Sequence, residues 1–247
     1  MQRESQSPPY RVLIVYYSRF GVLQQMAEAI AEGVRSVSSV TPDLLRVPDA
    51  PIGIPASGED EAAMLTRRAA IIERFASADA VIAGSPSYFG SMASPIKRLF
   101  EDCATAPSPI HDDASRPWRA HLFRDKVGAA FTASATPHGG NEQTLLSMLV
   151  MMMHLGMVVV TPGHQEPLFE QASAPYGATT VAGAKGAREL TESERIEART
   201  LGQRVAEMTI WLCEGRRAWM KHHHLQEFHD AIGVTPRPRI TWARAEH

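Results

Sequence analysis

The chain has 247 residues, 44% of them hydrophobic and 21% charged, and its 25 lysines and arginines nearly balance its 27 aspartates and glutamates, for a formal net charge of −2. This length and composition predict one soluble globular domain of enzyme size with short appendages, and the apolar fraction argues against a disordered chain. Because nucleic-acid binding depends on a basic surface that neutralises phosphates, the balanced charge argues against DNA or RNA as a partner.

The two cysteines, Cys103 and Cys213, are too few and too far apart in the sequence to indicate a disulfide framework or a cysteine-rich metal site. They fit a reducing cytoplasm, where we expect the protein to reside. The first nine residues are polar and proline-rich and lack the apolar core of a signal peptide. Polar and small residues interrupt the most apolar stretch, 145–160, so we expect a helix and a strand there and no membrane span.

The chain opens with a predicted strand, a turn and a predicted helix. Residues 12–17 are continuously apolar, β-branched or aromatic, which is typical of a strand covered on both faces. The turn Ser18–Gly21 follows. From Leu23 to Val34, apolar residues recur at intervals of three and four with charged residues between them, which indicates an amphipathic helix.

Strands and helices then alternate to the end of the predicted domain. The further predicted strands cover about 44–47, 80–84, 127–132 and 157–160, and the further predicted helices about 61–75, 96–100, 141–154 and 192–212. Such alternation predicts an α/β fold with right-handed crossovers, a parallel sheet and three α/β/α layers. Five strands ending near residue 160 match a flavodoxin-like doubly wound sheet with the strand order 2-1-3-4-5.

Three of these strands end in unusual loops, at 18–23, 85–90 and 133–140. Ligands of doubly wound sheets bind at the carboxyl ends of the strands, so we expect the three loops to converge on one site. The first loop places Ser18 and the backbone amides up to Leu23 at a helix N-terminus, which favours an anion such as phosphate. The loop ends in neither Gly-Lys-Ser nor Gly-Lys-Thr and has no G-x-G-x-x-G pattern, which excludes a Walker A loop and argues against a dinucleotide fingerprint.

The second and third loops suit a flat ring. Gly84–Ala93 is rich in small residues whose backbone can approach a ligand closely, and Tyr88 and Phe89 can lie against a ring. Thr132–Gly140 offers hydroxyls and peptide N–H groups to the edge of a heteroaromatic ring. The alternative for all three loops is an ordinary turn. In the second loop, Ser91 could instead cap the helix that follows.

Five segments in order resemble the motifs of the WrbA family, whose members are flavodoxin-like, FMN-dependent NAD(P)H:quinone oxidoreductases. The segments are 18–21, 84–93, 138–145, 154–159 and 175–183. The resemblance covers about residues 11–210 and implies FMN as the cofactor, NAD(P)H as the co-substrate and a quinone as the acceptor. It implies that hydride passes from NAD(P)H to the flavin and that two electrons then pass to the quinone, with no side chain acting as a nucleophile.

The resemblance also implies the residues of the site. The FMN phosphate is expected to bind at Ser18, Arg19, Phe20, Gly21, Val22 and Leu23. The isoalloxazine ring is expected among Pro86, Ser87, Tyr88, Phe89, Gly90, Ala133, Ser134, Ala135, Thr136, Pro137, His138 and Gly139. His154 matches a histidine that reaches the flavin region, with an ordinary helix-capping residue as the alternative, and Trp118 matches a tryptophan that contacts substrate, with packing over a loop as the alternative.

The chain departs from the family pattern at several of these positions. Phe20 and Val22 stand where the family commonly has tyrosine and histidine, Tyr88 replaces an arginine, Leu155 a second histidine and Asp125 a glycine. The first two changes remove a phenol and an imidazole beside the phosphate and nicotinamide sites. Together with Tyr88, they leave open a binding or regulatory protein with weakened FMN affinity. The fold also leaves open a one-electron carrier like flavodoxin, but such carriers resemble strongly acidic small monomers, which a net charge of −2 does not support.

Several segments exceed a minimal flavodoxin-like core. Insertions at 51–76 and 104–117 are expected to alter the pocket rim or a contact between subunits, and 175–188 is long, irregular and rich in glycine and threonine. In the family this last region helps to build a tetramer, so we expect a homodimer or homotetramer.

The sequence predicts a flexible N-terminus, one core domain and a C-terminal extension, with bounds at 1–10, 11–214 and 215–247. Two histidines of the extension, His224 and His229, lie near Glu227, but nothing fixes their geometry and no metal site is predicted. We expect the extension to form a helix and an arm that packs on its own or a neighbouring subunit.

Overall fold

The computed structural model describes residues 10–109, 121–164, 174–183, 185–186 and 188–222. Trp118 and the histidines at 224 and 229 lie outside the described residues. The elements in chain order are β1 Tyr10–Tyr16, α1 Val22–Arg35, β2 Val40–Arg46, α2 Glu61–Ser77, β3 Ala80–Tyr88, β4 Ser91–Met92, α3 Ser94–Ala104, β5 Val127–Ser134, α4 Asn141–His154, β6 Val158–Val159, β7 Ala178–Val181 and α5 Glu192–His222.

The main path of the sheet runs β2-β1-β3-β5-β6, and every pair along it is parallel. This confirms the predicted order 2-1-3-4-5, since the five strands of the path are the five predicted strands in sequence order. β2 begins four residues earlier than predicted, at Val40, and includes Pro42, which an edge strand tolerates although it has no N–H to donate to the ladder. β4 forms a short antiparallel hairpin with the end of β3.

The fifth strand position is divided between two short strands. β6 pairs with Val127 and Gly128 at the start of β5, whereas β7 pairs with Phe131–Ser134 at its end. The prediction of a single strand at 157–160 and an irregular segment at 175–188 is corrected here, because part of that segment completes the sheet. The pairing brings β7 to the carboxyl end of β5, where the predicted site lies.

Helices cover both faces of the sheet. On one face, Leu13 and Val15 of β1 pack with residues of α2, α3 and α4, including a cluster in which the ring centroids of Phe75 and Phe100 both lie 5.3 Å from that of Phe123. The alternate residues of β1 face the other side, where α1 and α5 pack closely together. A Cβ atom added at Gly202 of α5 would lie 2.0 Å from the carbonyl oxygen of Ile30 in α1, so only glycine permits this approach.

Helix α5 is longer than predicted and continues to His222 rather than ending near 212. The chain divides into a compact unit up to Ile210 and a second unit from Trp211, whose described part is helical. Among the described residues, no helix combines the length and the apolar character that a membrane crossing requires. The predicted boundaries at residues 10 and 214 stay predictions.

Candidate cofactor-binding site

The three predicted loops meet in one cleft of about 160 Å³ at the carboxyl edge of the sheet. The segment that follows β7 forms a further wall. The lining residues are Ser18, Arg19, Phe20, Val22 and Leu23 from the first loop, Pro86, Ser87 and Tyr88 from the second, Ala133, Ser134 and Ala135 from the third, and Ala182, Gly183 and Gly186 after β7.

The first loop presents an open helix N-terminus to this cleft. Gly21 is the N-cap residue of α1 with a φ of 100°, no side chain caps the helix, and its first turn holds no acidic residue. A Cβ atom added at Gly21 would have nothing within 4 Å, so the space beside the N-cap is open. Unpaired amides and the positive end of the helix dipole therefore face space that fits a phosphate group.

Ser18 shapes the first loop. Its hydroxyl is buried and accepts a hydrogen bond of 3.1 Å from the backbone N–H of Gly21. Its carbonyl oxygen accepts a hydrogen bond of 2.9 Å from the guanidinium of Arg46, the last residue of β2. Arg46 was not among the predicted site residues, although its position at the carboxyl end of a predicted strand was a usable signal. It adds a positive charge beside the expected phosphate site.

Hydroxyl groups join the second loop to the third. Ser87 Oγ donates to the carbonyl oxygen of Gly139 at 2.6 Å and accepts from Thr144 Oγ1 at 2.8 Å. Ser134 Oγ donates to the carbonyl oxygen of Thr136 at 2.7 Å. The hydroxyls of Ser87 and Ser134 thus hold the second and third loops in shape beside the cleft.

Aromatic side chains form the rim of the cleft. Phe20 is 57% exposed, and the guanidinium carbon of Arg19 lies 5.6 Å from its ring centroid. Tyr88 is 38% exposed, and Phe89 is fully exposed with a φ of 55°, a left-handed conformation that non-glycine residues rarely adopt. Exposed rings at the mouth of a cleft offer stacking surfaces to a flat ligand.

A second cavity of about 550 Å³ lies between residues 47–52 and helix α3. One of its lining residues, Asp49, accepts a hydrogen bond of 3.0 Å from the hydroxyl of Tyr17. Burial and this hydrogen bond raise the pKa of Tyr17. The beginning of the predicted insertion at 51–76 contributes to this cavity and not to the cleft.

Part of the predicted residue set lies beside the cleft, and one residue lies far from it. Phe89, Gly90, Thr136, Pro137, His138 and Gly139 belong to the loops that form the cleft but do not line it, and Gly21 lies between lining residues. His154 is exposed at the C-terminal end of α4, a helix of 14 residues whose N-terminal end adjoins the cleft, and its expected role near the flavin stays a prediction. A helix of that length spans about 20 Å, so His154 does not reach this cleft within its own chain.

Comparison with known proteins agrees with this architecture. Residues 13–165 match the family model described as NADPH-dependent FMN reductase. An NAD(P)H dehydrogenase (quinone) of Caulobacter vibrioides is 39% identical over 208 residues, which cover 82% of this chain and 98% of that protein. A protein of the same name from Chromohalobacter salexigens is 35% identical over 211 residues, with the same coverage.

The chain therefore belongs to the NADPH-dependent FMN reductase family, and the resemblance to WrbA-like proteins is confirmed. The crystal structure of a flavodoxin, WrbA-like protein from Agrobacterium tumefaciens matches with a TM-score of 0.50 and 22% identity, and the match covers 81% of this chain and 98% of that one. At that identity the match shows the fold alone, and it confirms the flavodoxin-like prediction.

Proposed function

We propose that this protein is an FMN-dependent oxidoreductase that transfers two electrons from NAD(P)H to quinones. The observation that carries the proposal is the cleft itself, in which an uncapped helix N-terminus and two loops with aromatic residues meet at one edge of a flavodoxin-like sheet. Its support is the family membership and the name, NAD(P)H dehydrogenase (quinone), of relatives that the chain matches over 98% of their length.

The protein's contribution is binding and orientation. The N-terminal amides of α1 would hold the phosphate, with the positive charge of Arg46 beside them. The residues of 86–88 and 133–135 would hold the flavin ring, and Tyr88 and Phe20 would offer surfaces on which a nicotinamide or quinone ring can stack. Bound FMN supplies the chemistry of hydride acceptance and two-electron donation.

The two departures beside the phosphate site affect NAD(P)H more directly than FMN. Val22 is buried at the first position of α1 and offers no hydrogen-bonding side chain, whereas the imidazole common in the family would offer one. Phe20 retains an aromatic face without a phenol. The helix N-terminus does not depend on either side chain, since its donors are backbone amides. Reduction by NAD(P)H is therefore the step to measure.

The test is an anaerobic titration of the purified full chain with NADH and with NADPH, followed at the flavin absorption bands. We expect a yellow protein that bleaches with at least one nucleotide and regains its colour when one equivalent of benzoquinone is added. A flavoprotein that reacts with neither nucleotide would refute the proposal. A stable blue one-electron form would favour a carrier, and a colourless protein that takes up no FMN would favour a binding or regulatory role.

We further propose that the protein is a cytoplasmic homo-oligomer, a dimer or a tetramer, in which α4 contributes to the interface. Leu146, Val150 and Met153 recur at intervals of four and three on one face of this helix and are 37%, 47% and 56% exposed. A contiguous exposed apolar patch of this kind is typical of an interface between subunits. His154 follows directly, so an oligomer supplies the route by which it can approach the cleft of a neighbouring chain.

Light scattering during size-exclusion chromatography tests the oligomer. We expect the wild-type chain to elute as a dimer or tetramer and Val150→Glu to shift it toward the monomer. Ile196→Glu, at a comparably exposed apolar position of α5 (41% exposed), is the matched control and should keep the assembly. A monomeric wild-type chain would refute the proposal. The cytoplasmic location rests on the use of NAD(P)H and on the free, buried thiol of Cys103.

A further inference from the structure

The cleft wall after β7 connects the first and third loops. The backbone N–H of Ala182 donates to the carbonyl oxygen of Ser134 in the third loop at 2.7 Å. At Gly186, an added Cβ atom would lie 2.7 to 2.9 Å from side-chain atoms of Phe20 in the first loop, so the Gly186 backbone packs on the Phe20 side chain as closely as glycine permits. The position of this wall therefore sets the width of the cleft between the loops.

Arg188 makes several contacts at the end of the wall that leads to α5. Its guanidinium donates to the carbonyl oxygen of Val181 at the end of β7, to Thr180 Oγ1 at 3.1 Å, and to the carbonyl oxygen of Glu189 at 2.8 Å. It also forms a two-point ion pair with Glu194 in the first turn of α5. The Arg188 side chain thus links the end of β7 to the start of α5.

Glu194 completes this arrangement from the helix. Its side chain is 8% exposed, and its oxygens accept from Thr180 Oγ1 at 2.7 Å and from the backbone N–H of Thr191 at 2.8 Å. A carboxylate this well buried is costly unless it is paired and hydrogen-bonded, and here the contacts with Arg188, Thr180 and Thr191 meet that need. These contacts therefore hold β7 and the loop that follows it against α5.

Glu197, one helical turn further along α5, holds the other end of β7. It is fully buried, and its two carboxylate oxygens accept hydrogen bonds of 3.0 and 3.1 Å from the backbone N–H groups of Ala174 and Thr179. The two glutamates occupy positions three apart, so they lie on one face of α5. That face contacts both ends of β7, and the cleft wall follows β7 directly.

The same loop is also tied to the helix whose N-terminus faces the phosphate site. Gln25 of α1 donates to the carbonyl oxygen of Arg188 and accepts from the backbone N–H of Leu190, both at 3.3 Å. Gln25 lies four residues after the N-cap Gly21. A displacement of Arg188 would therefore act both on the wall and on its spacing from the phosphate loop.

We propose that Arg188 and Glu194 form a positioning clamp that sets the affinity of the cleft for FMN without contacting the cofactor. Neither side chain lines the cleft, and their contacts go to β7, to its loop and to the start of α5. The identity of the ligand rests on the proposed function, whereas the clamp itself rests on the contacts above.

The test compares Arg188→Gln and Glu194→Gln in the full chain with a matched control, Arg199→Gln. Arg199 is also an arginine of α5 in an ion pair, at 2.7 Å from Glu32 of α1, but it lies outside the cleft wall. FMN dissociation constants are measured by quenching of flavin fluorescence on binding to the protein freed of FMN. We expect each clamp variant to raise the dissociation constant at least tenfold and Arg199→Gln to change it less than twofold.

Two further measurements distinguish a clamp from a general loss of stability. Because the pair acts as a unit, the double variant Arg188→Gln/Glu194→Gln should lose no more affinity than the weaker-binding single variant. Hydrogen exchange of the FMN-free chain should be faster in peptides covering 178–186 for both clamp variants and unchanged there for Arg199→Gln, at comparable thermal midpoints.

Clamp variants with wild-type exchange in 178–186, or with faster exchange and wild-type FMN affinity, would overturn the inference. An equal loss of affinity in Arg199→Gln would overturn it too, since the effect would then come from helix packing. A wild-type chain that binds no FMN would refute the proposed function and the link to affinity, whereas the exchange data would still show whether Arg188 and Glu194 hold the wall.

Discussion

Two glycines of the cleft wall permit a direct test of the contact between the wall and the phosphate loop. Gly183 and Gly186 both have left-handed backbones, with φ of 72° and 66°. A Cβ atom added at Gly183 would have nothing within 4 Å, whereas one added at Gly186 would lie 2.7 Å from Cδ2 and 2.9 Å from Cβ of Phe20. Alanine at either position carries the same backbone strain, and only alanine at 186 displaces Phe20.

The expected magnitudes follow from these two contributions. A left-handed backbone costs an alanine about 1 to 2 kcal/mol of conformational free energy, and both variants carry this cost. Overpacking against a fixed neighbour costs about 1 to 3 kcal/mol more. Because the contact involves Phe20 Cβ and not only the far end of its ring, the loop backbone must move with it. We therefore expect Gly186→Ala to bind FMN about tenfold to a hundredfold more weakly than Gly183→Ala.

Fluorescence titration with FMN measures this difference, with urea unfolding as the check that both variants are folded. The double variant Phe20→Ala/Gly186→Ala removes the ring that the new methyl group meets, and we expect it to recover most of the affinity difference. Equal dissociation constants for Gly183→Ala and Gly186→Ala would refute the view that the contact between the wall and Phe20 affects FMN binding.

Three further predictions concern buried polar groups. Lys126 is fully buried and donates at 2.6 and 3.0 Å to two carbonyl oxygens in the last turn of α2, so Lys126→Met should lower the urea unfolding free energy by about 2 kcal/mol, against less than about 0.5 kcal/mol for the exposed control Lys97→Met. Similar losses for the two would contradict this. Burial raises the pKa of Glu197 from its ordinary 4.5 to about 7. Between these two pH values the folded chain retains a proton that the unfolded chain releases, so the stability that this group contributes falls as the pH rises from about 4.5 to about 7. Glu197→Gln should remove up to about 3 kcal/mol of this pH dependence, and an unchanged slope of unfolding free energy against pH would argue against it. Ser87→Ala breaks the tie between the second and third loops and should weaken FMN binding about tenfold, whereas Thr144→Val, which leaves the Ser87 bond to Gly139, should weaken it less. The reverse order in fluorescence titration would contradict the assignment.

Local patterns in the sequence were enough to predict the core of the fold. The apolar runs at the centres of β1, β3 and β5 predict buried parallel strands because both faces of such strands are covered, and the alternation with helices predicts their order. The bounds of α4, Asn141 and His154, match the prediction because its apolar residues and flanking glycines mark both ends. Since the carboxyl ends of parallel strands share one edge, the three loops could also be predicted to converge.

Only the tertiary structure decided what completes the cleft and which residues hold it. The Thr-rich strand Ala178–Val181 has no apolar run, and its place beside β5 depends on pairing between residues nearly fifty positions apart. Glu194 and Glu197 look in sequence like the solvent face of a helix, yet both are buried because β7 lies against them. His154 occupies a motif position, but the length of α4 separates it from the cleft in its own chain. Sequence periodicity records which residues of an element face the core, whereas contacts between distant segments appear only when the chain is folded.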